Sequence, residues 1–317
     1  MMRAWLLTKD GLTEVDPATA AAEAKAGHGM AWMDFADEPE GCADAVLDTL
    51  EIHPLVREDM VVQANRPKVD NYKSYLYLVI HSARWDDDRP VLREIDIVLG
   101  ERFLITYHDG RPRAIDAAHD VLPRRSDLLR EGPVHLLHFI LDTLVDQYLP
   151  IMDRIAEEID ELEEVIFEND RAPVNRRILT LKRGMSSLRR VVGPQRDTVL
   201  ALTRDEYRPI PSEMRLYLRD VYDRMARVSD LLDSFRDETA SLLELHISAA
   251  SNRLNEVIKR LTLIATIGLP LTLVTGWYGM NFPFPEYQWS HGAWWVGGLC
   301  VISAGITWWY LKRRNWL

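Results

Sequence analysis

A short run of small and polar residues, Tyr278-Gly279-Met280-Asn281-Phe282, closes a long stretch that has no charged side chains. Gly279 exposes backbone carbonyl oxygens and Asn281 adds an amide oxygen, so the oxygen ligands offered here are uncharged. Mg²⁺ sheds water reluctantly and is usually held with much of its hydration shell. A ring of carbonyl and amide oxygens could therefore bind the hydrated ion through its waters. The triplet alone indicates little, but its place after an apolar run makes it a candidate cation site.

Upstream of the triplet, one helical face is small or polar at several levels. Lipid would select larger apolar side chains, so this face suits either a close contact between helices or a water-filled lumen. Periodicity alone leaves both interpretations open. A lumen would require several copies of the chain around an axis, because one chain supplies a single such face. The face consists of Asn255, Ile258, Ala265, Leu269, Thr272 and Gly276, with Leu261 close beside it.

This face lies in a stretch that is long and apolar enough to cross a membrane. No residue from Leu261 to Pro285 is charged, and a second uncharged run covers Ala293–Leu311. A helix of about 20 apolar residues spans a hydrocarbon core of roughly 30 Å. We therefore predict two transmembrane helices, against the alternative of a buried helical hairpin in a large soluble core. Aromatic residues of the kind that anchor helices at membrane interfaces flank the second run: Trp294, Trp295, Trp308, Trp309 and Tyr310.

The basic residues around these two runs predict their orientation. Lys259 and Arg260 precede the first run, and the basic tail Lys312–Arg314 follows the second. The connecting loop, Tyr278–Gly292, contains no Lys or Arg. By the positive-inside rule, both termini are expected to be cytoplasmic and the short loop to lie outside.

The N-terminal third of the chain has the pattern of a mixed α/β domain. Helical patches cover Pro17–Ala26, Gly41–Leu50, Pro54–Val62 and Ile115–Leu122, and two of them begin with Pro, which is tolerated at the first helical position. Alternating or β-rich runs predict strands between and after them: Ala4–Thr8, Ala31–Phe35, Ser74–Arg84, Glu94–Leu99 and Phe103–Tyr107.

From Pro133 onwards the pattern is helical. Apolar residues spaced by three and four predict helices over Val134–Glu168 and Val174–Leu202, an antiparallel pair interrupted at Asn169–Pro173. No Gly or Pro occurs between Ser212 and Ile267, so about 55 residues form a stalk helix of roughly 80 Å that enters the first membrane run. The predicted organisation is an α/β cytoplasmic domain (1–132), the helix pair (133–211), the stalk (212–260) and two transmembrane helices with a short outer loop and basic tail (261–317).

Composition excludes several classes of function. Residues 1–260 carry 35 basic and 48 acidic residues, a balance that disfavours nucleic acid and attracts cations. The chain has only two cysteines, Cys42 in the predicted soluble part and Cys300 inside the second uncharged run, so we expect no disulfide framework. No glycine-rich nucleotide loop and no Ser/His/Asp or Cys/His arrangement stands out, so we expect neither an organic cofactor nor an enzyme. The N-terminus has too short an apolar core for a secretory signal.

Taken together, these motifs resemble the CorA-type divalent metal ion transporters. The resemblance covers nearly the whole chain, from Arg66-Pro67-Lys68-Val69 to the closing Lys312–Leu317. It is most specific in Ser251–Val257, in Ile264-Ala265-Thr266-Ile267 through Tyr278–Phe282, and in Asp220-Val221-Tyr222-Asp223. It implies a funnel-shaped homopentamer in the cell (inner) membrane, with the first transmembrane helices lining a pore and the second ones outside.

The resemblance also implies roles for the residues of the pore face. Gly279, Met280 and Asn281 would form the outer selectivity filter, and Thr272 and Asn255 would be polar stations deeper in the pore. Ala265 and Gly276 would line it between these stations. A hydrophobic constriction that can close by dewetting would be formed by Ile258, Leu261 and Leu269.

Carboxylates are the second group of residues to which the resemblance gives a role. The family senses intracellular metal at carboxylates shared between subunits, and Asp220, Asp142 and Asp86 match those positions. Bound Mg²⁺ would cancel repulsion between acidic subunits and hold a closed state; its loss would let the subunits separate. Glu244 falls where the family has an acidic residue near the inner mouth.

The outer loop departs from the family pattern. Pro283 stands where a first acidic residue is common, which leaves Glu286 alone to attract cations. The expected function is a Mg²⁺ channel, with Co²⁺ and Ni²⁺ as further ions, gated by intracellular Mg²⁺ and driven by the membrane potential, which at 100 mV supplies about 4.6 kcal/mol per divalent ion. A zinc carrier of the same superfamily, with or without coupling to protons, is the first alternative. A membrane-anchored sensor without conduction is the second.

Overall fold

The computed structural model describes residues 2–39, 41–86, 89–167, 174–204, 207–280, 284–314 and 316. The chain divides into two units, Met1–Leu243 and Glu244–Leu317. The first unit contains a seven-stranded sheet, of order β2-β1-β3-β7-β6-β5-β4, and the helices that cover it. The strands are β1 (Met2–Thr8), β2 (Gly11–Val15), β3 (Met30–Ala36), β4 (Lys68–Asn71), β5 (Tyr75–Asp86), β6 (Arg89–Gly100) and β7 (Phe103–His108).

Two antiparallel groups of strands make up this sheet. In the first group β1 lies between β2 and β3; the second group, β4 to β7, is a meander, and every pair within the groups is antiparallel. The central pair, β3 with β7, is parallel and joins the two groups, with Asp34 opposite Thr106. The five strands predicted from the sequence are all present. Strands β2 and β4 were not predicted because both are short and largely polar.

Nine α-helices are found within the described ranges. Helix α1 (Pro17–Ala26) shows why these segments fold locally: the Asp16 carboxylate accepts hydrogen bonds from the Ala18 and Thr19 amides, and Gly27 ends the helix at φ +80°. The remaining helices are α2 (Asp44–Thr49), α3 (Pro54–Val62), α4 (Arg113–Val121), α5 (Asp127–Arg130), α6 (Pro133–Phe167), α7 (Val174–Arg204), α8 (Met214–Tyr278) and α9 (Gly292–Arg313), with a 3₁₀ turn at Pro285–Gln288.

Both faces of the sheet are buried, which explains the long apolar runs in its central strands. One face packs against α1 to α3 and includes Met33, Phe35, Tyr77 and Val79. The alternate residues of the same strands, such as Trp32, are equally buried. Helices α6 and α7 contact the central strands on that side.

Helix α8, which contains the predicted stalk, buries an apolar stripe along the part that belongs to the first unit. Its apolar residues recur every three or four positions and are almost fully inaccessible to solvent, as the helix period requires. The predicted break at Asn169–Pro173 lies outside the described residues. The buried residues of α8 are Met214, Leu218, Val221, Met225, Val228, Leu232, Thr239 and Leu242.

The second unit contains the C-terminal part of α8 and the whole of α9. By length and composition, both helices could cross a membrane. Within one chain their apolar side chains are largely exposed, for example 71% for Leu269 and 73% for Val301. Water would penalise so much exposed apolar surface, so lipid or further copies of the chain must cover it.

Candidate functional site

All seven residues predicted to line the pore lie on α8 and are exposed in the single chain. Helical geometry, at 100° per residue, places them around one face. The opposite face of the same helix segment is partly covered, at Leu263, Ile267, Leu271, Val274 and Tyr278. The fold of one chain therefore leaves the polar and small face available. The face consists of Asn255, Ile258, Leu261, Ala265, Leu269, Thr272 and Gly276.

Threonine hydroxyls in this segment satisfy their donors within the helix itself. The Thr272 hydroxyl donates to the Gly268 carbonyl at 3.0 Å, and the Thr275 hydroxyl donates to the Leu271 carbonyl at 2.9 Å. A hydroxyl whose proton is used in this way still has acceptor lone pairs. Thr272 therefore presents an acceptor oxygen on the exposed face, which suits the water shell of a cation.

A glycine follows the C-terminal end of α8. The Gly279 amide donates to the Thr275 carbonyl at 2.9 Å. A Cβ atom at Gly279 would lie 3.0 Å from that same carbonyl oxygen, so a larger residue would require this turn to move by a few tenths of an ångström. Met280 continues the turn by donating its amide to Trp277 at 3.3 Å. The rest of the predicted filter and the loop departure, Asn281 to Pro283, lie outside the described residues.

After this gap the outer loop packs back onto the end of α8. The Phe284 ring lies 6.3 Å from Trp277 and 5.4 Å from Tyr278, measured between ring centroids. One carboxylate oxygen of Glu286 is buried and has no hydrogen-bond partner among the described residues. The predicted loop acid is therefore held close to the protein surface rather than extended into solvent.

At the Asn255 end of this face, the C-terminus makes a contribution that was not predicted from the sequence. Trp316 lines a groove of about 290 Å³ together with Asn255, Ile258, Lys259 and Thr262. Two predicted pore residues thus have an aromatic neighbour within their own chain. Glu244, predicted near the inner mouth, is exposed.

The structure brings two predicted sensor residues to one arginine. Arg224 Nε lies 3.3 Å from Asp220 Oδ2, and Arg224 Nη1 lies 2.8 Å from Asp146 Oδ1. Arg224 Nη2 also pairs with Asp142. Three carboxylates thus share one guanidinium, so this group, the Arg224 cluster, has excess negative charge. Arg224 is more buried than its partners, with 24% of its side chain exposed against 71% for Asp220.

Asp146 and Arg224 were not predicted from the sequence, although a signal exists. Asp146 follows Asp142 by four residues and Arg224 follows Asp220 by four, so each addition lies one turn along the same helix face. A search for charged pairs at this spacing would have found them. What the spacing does not reveal is that α6 and α8 bring these faces together.

Asp86, the third predicted sensor residue, has a different partner. Its carboxylate pairs with Arg84 at 3.0 Å, on the exposed end of β5. Among the described residues of one chain, no group of three or more His, Cys, Asp or Glu side chains is arranged to hold a metal ion. A regulatory cation would therefore have to displace Arg224 or use carboxylates from a second chain.

A buried polar network in the sheet was also missed. Asp34 accepts hydrogen bonds from the Thr106 hydroxyl at 2.5 Å and from His119 Nε2 at 2.8 Å, with His108 Nε2 at 3.1 Å. The Trp5 indole donates to His119 Nδ1 at 3.2 Å, which fixes the proton of His119 on Nε2. Burial alone would raise the pKa of Asp34, but the hydrogen bonds from His108, His119 and Thr106 outweigh it and lower the pKa. Asp34 is therefore an anion that fastens β3 to β7.

Asp96 shows the opposite behaviour on the other face of the sheet. It is fully buried and accepts a hydrogen bond from the Tyr77 hydroxyl at 2.5 Å. Its second oxygen has no hydrogen-bond partner in the described part of the chain. Burial, with Glu94 nearby, raises the pKa of Asp96 well above its usual value.

We expect Asp96→Asn to stabilise the first unit increasingly as the pH rises. The folded carboxyl keeps a proton that the unfolded chain releases above about pH 4, so wild-type stability falls by about 1.4 kcal/mol per pH unit until the folded pKa is reached. Asparagine keeps the acceptor for Tyr77 and removes this proton cost. The measurement is thermal unfolding of the full chain in detergent: relative to wild type, the variant should gain roughly 3 °C or more between pH 4.5 and 7.5. The exposed Asp230→Asn is the control, and a pH-independent effect of Asp96→Asn would contradict the protonated carboxyl.

Comparison with known proteins gives a consistent result. The model of the family described as CorA-like Mg²⁺ transporter protein matches residues 27–313. The chain is 34% identical over 270 residues to the cobalt/magnesium transport protein CorA of Thermotoga maritima, covering 84% of this chain and 77% of that one. It is 33% identical over 285 residues to YfjQ of Bacillus subtilis, covering 89% and 88%. The solved structure of the CorA magnesium transporter from Methanocaldococcus jannaschii has the same fold, with a TM-score of 0.88, 20% identity and coverage of 100% and 99%.

Proposed function

The chain belongs to the CorA-like Mg²⁺ transporter family and is a membrane transporter of divalent cations, not an enzyme, and from this premise we propose that it carries Mg²⁺ inward through a gated homopentameric channel. One observation carries the proposal. The α8 face from Asn255 to Gly276 is exposed in the single chain and lies opposite the face that the chain partly covers. Five copies of this face around an axis would enclose a path.

The chemistry of the face supports a hydrated ion. Its polar groups offer uncharged oxygen atoms that can accept hydrogen bonds, such as those of the Asn255 amide and the Thr272 hydroxyl. No charged residue lies on the face between Leu261 and Met280. Neutral acceptors can exchange with outer-shell waters without holding the ion as tightly as carboxylates would. Small residues at Ala265 and Gly276 leave width for the water shell, and Leu269 is placed to interrupt the water column when the pore narrows.

The same donor set argues against direct zinc binding along the path. Zinc sites in proteins favour His and Cys ligands, and the proposed pore face contains neither. The T. maritima relative is called a cobalt/magnesium transport protein. We therefore propose Mg²⁺ as the main transported ion and Co²⁺ as the second. The driving force is the membrane potential, in a cell (inner) membrane with both chain termini on the cytoplasmic side.

For regulation, we propose that intracellular Mg²⁺ binds at carboxylates shared between neighbouring subunits. Asp220 is the most exposed of the Arg224 cluster, and Asp86 is exposed on β5. Carboxylates from two chains would repel each other, and a cation between them would favour the closed assembly. Asp142 and Asp146 would add to the local negative potential.

The direct test of transport is a flux assay in proteoliposomes that compares Mg²⁺, Co²⁺, Ni²⁺ and Zn²⁺, each with and without a pH gradient. We expect Mg²⁺ uptake that follows an imposed potential, negative inside, and is insensitive to the pH gradient. Zn²⁺ uptake that exceeds Mg²⁺ uptake and requires the pH gradient would instead establish the proton-coupled zinc carrier. Absence of flux for all four ions in intact vesicles would favour a sensor without conduction.

A further inference from the structure

A cavity of about 450 Å³ in the first unit is lined by four arginines. Arg84 and Arg93 come from β5 and β6, and Arg111 and Arg113 come from the loop that leads into α4. The side of α6 around Pro150 closes the cavity. No carboxylate is among the described residues that line it, although the chain as a whole has a formal charge of −11. Such a concentration of positive charge predicts an anionic ligand.

Two of the arginines form exposed ion pairs. Arg84 pairs with Asp86 and Arg111 pairs with Asp116, and the arginine side chains are 72% and 84% exposed. Pairs this exposed contribute little free energy. A ligand with two or three negative charges can therefore bind both guanidinium groups, because breaking the two existing ion pairs costs little free energy.

Of the other two arginines, Arg93 is held in place and Arg113 is unpaired within the described residues. Arg93 donates to the Asp109 carbonyl at 3.3 Å and lies directly against Gly110. At φ +66°, Gly110 has no room for a Cβ, because that atom would overlap the Arg93 guanidinium. Arg113 has no ion pair or side-chain hydrogen bond with any residue that the structure describes. One guanidinium is thus positioned by a glycine and the other is free to bind.

The backbone adds positive potential at the same place. Helix α4 begins at Arg113, and its N-cap residue, Pro112, provides no side-chain hydrogen bond. The first turn of a helix presents amide groups that favour anions, phosphate in particular. Helix α4 has nine residues, so its dipole is developed.

The remaining lining indicates what the anion is attached to. Trp85, Val91, Pro112, Pro150 and Ile151 provide apolar walls beside the arginines. The volume lies within the range of sites for small organic ligands. We propose that this cavity, which stands independently of the transport proposal, binds a nucleoside triphosphate, with the arginines and the start of α4 on the phosphates and the apolar walls on the base.

Binding of ATP to the full-length protein in detergent, measured by equilibrium dialysis in EDTA without Mg²⁺, tests this site. We expect saturable binding of one ATP per chain that weakens as salt is added. Arg93→Gln and Arg113→Gln should each weaken binding about fivefold, and the double variant more, since each removes one exposed charge pair. The matched control is Arg176→Gln, an exposed arginine on α7, which should leave binding unchanged.

Two further probes separate the base from the phosphates. Tripolyphosphate should bind about tenfold more weakly than ATP, because it leaves the apolar walls uncovered, and adenosine should not bind measurably. Tripolyphosphate that binds as tightly as ATP would overturn the nucleotide assignment. No saturable ATP binding at millimolar concentration, or equal losses in the Arg93, Arg113 and Arg176 variants, would overturn the site itself.

Discussion

Replacing Asn281 by alanine is expected to abolish Mg²⁺ uptake into proteoliposomes. In the proposed channel each chain contributes one amide oxygen to a ring that holds the hydrated ion, so a single substitution removes the whole ring. Hydrogen bonds to a charged partner contribute about 1.5–3 kcal/mol each, and losing several at once should lower flux at least tenfold. The measurement is initial uptake at an imposed potential, with protein incorporation checked by gel.

The chain offers a matched control for this variant. Asn252 is an exposed asparagine on the same helix, but helical geometry places it off the face that contains Asn255 and Thr272. Asn252→Ala should therefore keep wild-type uptake. Unchanged uptake by Asn281→Ala in intact vesicles would remove the selectivity filter from the proposal.

Gly279→Ala should reduce flux for a separate, steric reason. The added methyl group would lie 3.0 Å from the Thr275 carbonyl oxygen, so the last turn of α8 would have to shift. If uptake were lost in Asn281→Ala but retained in Gly279→Ala, the role of the Asn281 amide ring would be supported. The same result would show that flux does not require the exact backbone path at Gly279.

The second large effect concerns regulation, and here two variants should act in opposite directions. Asp220→Ala is expected to raise the concentration of internal Mg²⁺ that half-inhibits flux, by about fivefold or more, since it removes a carboxylate from the proposed intersubunit site. Arg224→Gln should lower that concentration. Arg224 holds Asp220, Asp146 and Asp142, and without its charge these carboxylates are free to attract a divalent cation.

Inhibition curves for vesicles loaded with graded Mg²⁺ concentrations would measure both effects. Asp237→Ala is the control, because Asp237 lies on the same helix, is exposed, and pairs only with Arg236 within the described part of the chain, at 3.6 Å. Curves for Asp220→Ala and Arg224→Gln that shift in the same direction would show that the Arg224 cluster only stabilises the contact between α6 and α8. Two unshifted curves would count against metal sensing at Asp220.

Much of the architecture could be predicted because its signals are local. Residues a few positions apart determine the apolar spacing of α8, the uncharged runs and the start of α1 after Asp16. The exposed face of α8 could also be predicted, because the 3.6-residue period places Asn255 and Thr272 on one face without knowledge of the remaining fold.

The parts that were missed depend on residues distant in sequence. Asp34 meets Thr106 and His119 only because β3 pairs with β7. Asp96 alternates with apolar neighbours in a strand that is buried on both faces, so nothing nearby marks it as a protonated carboxyl. The meeting of Asp142 with Arg224 requires α6 and α8 to pack together, and no short-range pattern encodes that packing.

The parallel seam between β3 and β7 has a consequence for how the protein is made. Each antiparallel group can form from strands close in sequence, but the seam must wait until residue 108 has left the ribosome, long after β3 has emerged. Until then β3 is an open edge, rich in Trp, Met and Phe, that invites wrong partners. Closing it buries Asp34 against Thr106 and the two histidines. A chain that pairs β3 in another register would leave that carboxylate without donors, so the Asp34 network favours the native register of the seam.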